Sequence, residues 1–232
     1  MKTQLVLLAL SVLFVTSARA EEATMSNIKI EDQSHTESSV TSSDQFVSLA
    51  FAPFAPASVQ ISNGAYNFNY GQKTSTYMGQ AGWGIKLFDL GGAFYFEENL
   101  GFSQLSGNTI NEAGAQAANS SYSVDFFGFD TRLMYEASWF PWKRLVPFVD
   151  GGYLYTIYYQ PGNSGLDSVS GGVGNPVAGG GLRFWLNRQS AMNGAHPVFL
   201  TGKVNRIFTS SNSVNSVDLT STSVFGGVSF GL

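Results

Sequence analysis

Four acids and four bases, Glu97, Asp130, Glu136 and Asp150 against Lys86, Arg132, Arg183 and Lys203, stand in strictly alternating contexts in a 232-residue chain of which only 12% is charged. Side chains of these types support two kinds of chemistry. A carboxylate can pass a proton to or from a substrate, or guanidinium and ammonium groups can neutralise it in a shielded network. The remaining composition disfavours the first. General-base chemistry commonly recruits histidine, and the two histidines are His35, in a polar N-terminal stretch, and His196, beside a turn. The absence of cysteine excludes disulfides, thiol metal ligands and a lipidated cysteine. No metal-ligand spacing, phosphate-binding glycine loop or nucleophile elbow occurs. Gly171-Gly172-Val173-Gly174 has no helical pattern after it and is expected to be flexible loop. Asp167 and Asp218, in or near loops, are expected to be solvated. No catalytic residue, cofactor or metal is expected.

The elements that must position the eight charges are two-faced. Over residues 123–147 one parity carries Phe127, Phe129, Leu133, Tyr135, Ala137 and Trp139, and the other carries Asp130, Arg132, Glu136 and Ser138. That is the period of an extended strand. In a soluble β-sandwich the apolar face would make the core, whereas in a membrane barrel it would meet lipid and turn the charges into the lumen. The same alternation divides the chain into eight candidate strands, 45–61, 74–88, 92–105, 121–140, 145–160, 175–187, 197–209 and 216–232. Pro53 and Pro56 disturb the first of them.

Composition favours the membrane alternative, because a soluble domain typically carries about 25% charged residues. The chain opens with Lys2, an apolar run from Leu5 to Val15, and Ala18-Arg19-Ala20, the pattern of a signal peptide over residues 1–20. No stretch approaches the roughly 20 continuous apolar residues of a membrane helix. Residues 21–44 hold Glu21, Glu22, Glu31, Asp32, Glu37 and Asp44 against Lys29 alone, and are expected to be a disordered acidic tail. The body from residue 45 to 232 is nearly neutral and has no basic patch, which leaves nucleic-acid binding without an electrostatic basis.

Link lengths also bear on the choice. Short turns around Asp89, Trp142 and Asn193 alternate with longer polar loops around Asn67, Ala115, Ser164 and Asn212. Short periplasmic turns and longer external loops are the habit of membrane barrels. An eight-stranded barrel is just wide enough for its own side chains, so the eight charges are expected to neutralise one another inside rather than line an open channel. Small residues such as Gly82, Gly84, Gly152, Gly179 and Gly181 leave a narrow pore for ions or small solutes as the alternative. Glu98 falls on the lipid parity, where a carboxylate costs about 1–3 kcal/mol unless a β-bulge re-aims it. Arg206 also falls outward and is expected to reach lipid phosphates near the outer rim. Trp139, Trp142, Tyr77, Tyr122 and Tyr159 fit interfacial girdles, with Trp185 turned inward.

Val224, Gly226, Val228, Phe230 and Leu232 alternate to the last residue. This resembles the terminal strand of bacterial outer-membrane proteins, although Leu232 stands where that family usually has phenylalanine. With the signal pattern and the strand layout, the chain from 45 to 232 resembles the small eight-stranded barrels of the OmpA transmembrane domain and OmpX type. The resemblance implies an all-β, antiparallel, up-and-down transmembrane barrel in the bacterial outer membrane. It also implies contact with outer-membrane lipid and lipopolysaccharide, and a C-terminal signal (Val224, Val228, Phe230, Leu232) read by the barrel-assembly machinery. A monomer is expected, with loops that meet an unidentified extracellular ligand. The expected role is structural and surface-exposed. A lipid-modifying enzyme is the least favoured alternative, since neither histidine lies at the outer rim.

Overall fold

The computed structural model describes residues 44–63, 66–70, 76–111, 116–137, 144–162, 167–187, 196–209 and 217–232. The expected signal segment, the acidic tail apart from Asp44, and the turn residues Trp139 and Trp142 lie outside the described residues, as do the centres of most of the expected loops.

Eleven strands form one sheet: β1 (Gln45–Phe54), β2 (Ser58–Asn63), β3 (Tyr66–Tyr70), β4 (Thr76–Asp89), β5 (Ala93–Asn111), β6 (Gln116–Glu136), β7 (Leu145–Gln160), β8 (Val169–Trp185), β9 (Val198–Ile207), β10 (Val217–Asp218) and β11 (Ser221–Gly231). Eight of them, β1, β4, β5, β6, β7, β8, β9 and β11, pair antiparallel in chain order, and β11 closes on β1 through Val47 opposite Phe230 and Leu49 opposite Val228. The result is an up-and-down barrel. Its register climbs steadily, from Gln45 through Ile85, Phe96, Leu133, Gly151, Ala178 and Arg206 to Thr222. Carried on past Phe51 opposite Gly226, the same register meets the chain just beyond β1, at residue 55, ten further on, and the Ala57 N–H donates to the Thr220 carbonyl there at 3.1 Å. That stagger requires strands tilted by roughly 35–45° from the barrel axis.

Closure decides which face is outside. Phe127, Phe129 and Leu133 are 42–50% exposed, while Asp130, Arg132 and Glu136 are each 2% exposed. The soluble-sandwich alternative fails here, because the apolar face of every wall strand points away from the interior.

The pattern then inverts toward the loop end. On β5 the outward Phe94, Phe96, Leu100 and Phe102 give way to Gln104 and Ser106, while the inward Glu97 and Asn99 give way to Leu105. β6 does the same in reverse, with Phe127 followed outward by Asp125 and Asp130 followed inward by Phe126 and Val124. The Gln104 amide donates to the Asp125 carboxylate at 2.7 Å just beyond the switch. Beyond that level the interior is an apolar cluster that includes Phe54, Ile61, Phe68, Leu105, Phe126 and Val217. That inversion is what a change of outer solvent from lipid to water would impose, since apolar groups then move inside. Burial pushes the Tyr70 phenol above its usual range, with Tyr122 adding to the shift.

Three expectations change. The single strand over 45–61 is two, because the ladder breaks over residues 55–57, around Pro56, whereas Pro53 stays inside β1 opposite Tyr77: Phe46, Ala52 and Phe54 face inward before the break, Val59 and Ile61 after it, a slip of parity. β2 then pairs with β3 and β10, and β3 with the outer half of β5, so this side of the wall rises above β1 and β4. The Gly171–Gly174 run is not a loop but part of β8. Each glycine leaves room for a tyrosine on the neighbouring strand, Gly171 for Tyr158, Gly172 for Tyr155 and Gly174 for Tyr153, so aromatic rings cover the backbone that a loop would expose. Tyr122 is not a girdle residue, because it has inward parity and its ring packs edge-on against Phe68, 4.7 Å between centroids.

The switch in solvent makes a quantitative prediction. Phe51→Arg, in the apolar belt, is expected to lower stability by about 2–4 kcal/mol, and Gln104→Arg, beyond it, by roughly 0–1 kcal/mol. Equilibrium urea unfolding in phospholipid vesicles measures both.

Candidate functional site

Five consecutive wall strands supply the inward charges: Glu97 from β5, Asp130, Arg132 and Glu136 from β6, Asp150 from β7, Arg183 from β8 and Lys203 from β9. Alternation places each on the inner face, and the climb of the register sorts them into two layers.

In the layer nearer the middle, Arg132 is the hub. Its Nε donates to both Asp130 carboxylate oxygens at 2.9 and 2.7 Å, and its Nη1 donates to Asp150 Oδ1 at 2.6 Å and Asn205 Oδ1 at 2.8 Å. Lys203 Nζ lies 2.8 Å from the other Asp150 oxygen. Two acids and two bases balance here. Planar guanidinium suits the hub, since its donors diverge in one plane toward carboxylates on different strands.

Nearer the turn end, Arg183 Nη1 donates to Glu136 Oε2 at 2.8 Å and its Nη2 to Glu97 Oε1 at 3.3 Å. The guanidinium lies 4.3 Å from the centroid of the Phe46 ring, with Phe148, Tyr95 and Phe199 around it at 5.4–5.9 Å. An aromatic enclosure of this kind stabilises a cation that water no longer solvates. Lys86 stands apart from both layers, with its Nζ 2.6 Å from Asp89 at the rim.

The glycines expected to leave gaps are covered. A Cβ on Gly82 would strike Asn99 and Ser48, on Gly84 the Phe46 ring, on Gly179 the Val204 carbonyl and Lys203, and on Gly181 the Gly202 carbonyl and Phe148. Gly152 abuts the Thr131 carbonyl. Gly84 is what allows Phe46 to lie beneath Arg183. A cavity of ≈ 50 Å³ remains beside Glu97, Arg183 and Lys203, lined also by Ser48, Gln80 and Thr201. At about 10–15 Å³ of such volume per molecule it has room for a few waters. The lumen is therefore a layered plug with aromatic groups and an arginine at the turn end, ion pairs in the middle and apolar groups at the loop end. That last layer was missing from the sequence reading, and its signal was the inversion along β5 and β6.

On the outside, Glu98 is exposed and no bulge re-aims it. It pairs without interruption with Trp83 on one side and Thr131 on the other, and the irregularity in the β4–β5 ladder lies between Lys86 and Phe88. Arg206 is exposed too, its Nη1 donating to Thr222 Oγ1 at 2.7 Å. Trp185 is turned inward onto Phe199, and Tyr77 is 76% exposed. Val224, Phe230 and Leu232 point outward along β11 and its end, with Val228 half-buried.

A closed eight-stranded antiparallel barrel with an apolar belt and an ion-paired interior is the architecture of the small bacterial outer-membrane barrels. No family model matches the sequence, and no curated protein matches it. Among solved structures, the chain is similar to the outer membrane protein OprG from Pseudomonas aeruginosa, at 12% identity and a TM-score of 0.51 over 81% of this chain and 95% of that one. That likeness establishes the shared fold. Neisserial surface protein A (11% identity, TM-score 0.46, 82% and 98% covered) also matches. So does Ail of Yersinia pestis in complex with the heparin analogue sucrose octasulfate (7%, 0.47, 82% and 99%).

Removing the hub tests the plug. Arg132→Met leaves Asp130 and Asp150 short of a partner and is expected to lower stability by about 3–5 kcal/mol. Lys86→Met, which breaks a rim pair, is expected to change it by less than about 1 kcal/mol. Urea unfolding followed by tryptophan fluorescence compares the two.

Proposed function

We propose that the chain is a non-enzymatic integral protein of the bacterial outer membrane, whose role is structural and whose loop end presents a surface to the exterior. The observation that carries this reading is the filled lumen: each inward carboxylate faces a guanidinium or ammonium group, and an apolar layer covers the loop end. Groups held in this way are neither free to shuttle protons nor spaced around an aqueous path. The sheet instead continues past the apolar belt through β2, β3 and the outer parts of β5 to β8, a stiff base for contact with an extracellular ligand. In this reading the belt meets lipid and lipopolysaccharide, and Val224, Val228, Phe230 and Leu232 present the terminal strand to the assembly machinery.

A second reading, a narrow pore, draws on the ≈ 50 Å³ cavity beside the 3.3 Å Glu97–Arg183 pair, the longest of the luminal ion pairs. Planar-bilayer recording separates the two. The plug reading expects silence at all voltages, and steady single-channel steps would replace it with the pore. Residence is tested independently, by recovery in the outer-membrane fraction and by a gel mobility that changes on boiling. A soluble, heat-indifferent species would sink the membrane reading altogether.

A further inference from the structure

Two charged side chains interrupt the apolar belt among the described residues, Glu98 and Arg206, and they have opposite signs. β5, which carries Glu98, is third in the circuit of eight wall strands that begins at β1, and β9, which carries Arg206, is seventh. At equal height those two strands stand on opposite sides of the barrel. Glu98 is five residues from the inner-rim start of β5 and Arg206 eight from that of β9, both within the ten or so residues that a tilted strand needs to cross a belt about 25 Å tall. The difference in height is roughly 7 Å, at about 3.3 Å per residue along strands tilted by about 40°. An arginine and a glutamate extended toward each other bridge it. Among the described residues neither takes part in an ion pair.

The two faces also differ in relief. Around Glu98 stand Phe96, Leu100 and Leu133. Below Arg206 the belt carries Gly202 and Gly226, paired across β9 and β11. A Cβ added to either would meet no atom within 4 Å, and neither has a positive φ. Neither packing nor backbone conformation of the barrel calls for glycine at these points. What they make is a depression on the outer surface, at the height where Phe96 and Leu133 protrude from the opposite side. Small residues serve membrane proteins where another surface approaches closely.

We infer that barrels of this chain associate side by side in the membrane, head to tail, with Glu98 of one copy paired to Arg206 of the next and Phe96 and Leu133 seated over Gly202 and Gly226. Charge and shape are each complementary between the two faces and self-complementary on neither, so the contact is heterologous. Because the faces lie opposite each other, repetition gives rows rather than a small closed ring. This rests on the membrane reading above and replaces the expected monomer.

The chain's lack of cysteine permits a direct test. Leu100→Cys with Val204→Cys places one thiol on each face, and oxidation in outer membranes is expected to give a ladder of dimers and higher species on denaturing gels. Either single variant is expected to stay monomeric. Adding Glu98→Arg or Arg206→Glu should abolish the ladder, and adding both should restore it. Gly202→Leu with Gly226→Leu should abolish it while the heat-dependent mobility shift is kept, since the new side chains enter open space. A heat-shifting barrel that gives no ladder, a ladder unaffected by the single charge reversals, or cross-linking through Leu100→Cys alone would each overturn the inference. Loss of the heat shift in the unsubstituted protein would instead overturn the membrane reading.

Discussion

Pairing of the last strand with the first is the constraint on which the rest of this structure depends. Once Phe230 lies opposite Val47 and Val228 opposite Leu49, no wall strand in the belt has a free edge. Backbone donors and acceptors are then satisfied within the protein, the one condition under which a sheet can sit in hydrocarbon. With eight strands and a ten-residue stagger the circumference is set, and so is the interior: room for side chains and little more. Everything polar on the inner parity must find its partner there.

That requirement explains the layering. Four inward carboxylates cannot be left alone at low dielectric: Asp130 finds Arg132 two residues along its own strand, while Asp150, Glu97 and Glu136 are met by Arg132, Arg183 and Lys203 from other strands. Arg132 bonds to groups on β6, β7 and β9, so the pairs fix strand positions as well as charge. Arg183 is stabilised differently, held by two carboxylates on one side and by Phe46 on the other. Its enclosure depends on Gly84, whose missing side chain is the space the Phe46 ring occupies.

How much of this could be read in the sequence follows from which solvent each segment meets. Within the belt, two opposed environments impose a strict period of two, and the alternation from Phe127 to Tyr135 identifies both faces. Beyond the belt the same strands have an aqueous outside and an apolar inside, so polarity inverts along one unbroken strand at Gln104 and Asp125. Tyr122 keeps the inward parity of Asp130 and Arg132 there, and it is misread only when an aromatic at a strand end is taken for a girdle residue. Other misreadings arise from residues with no side-chain signal of their own. Pro53 and Pro56 mark a disturbance without revealing that Val59 and Ile61 resume on the other parity. Gly171-Gly172-Val173-Gly174 looks like loop in isolation, and becomes strand because Tyr153, Tyr155 and Tyr158 on β7 cover it. The ion pairs are partly legible, since parity selects their members, but assigning partners requires the register.

Glycine therefore carries three distinct meanings in one barrel. At Gly91, with φ at 62°, it permits a turn that other residues resist. At Gly84 and Gly172 it makes way for a ring from an adjacent strand. At Gly202 and Gly226 neither explanation applies, because the backbone is ordinary and the space beyond is empty. In a sequence whose other local choices agree with its fold, positions that the fold itself does not account for point to something outside the fold. Glu98 belongs with them, a carboxylate in regular strand geometry on a face where every neighbouring wall strand presents apolar or small groups. The barrel alone gives these three residues no role, and a second barrel gives all three the same one.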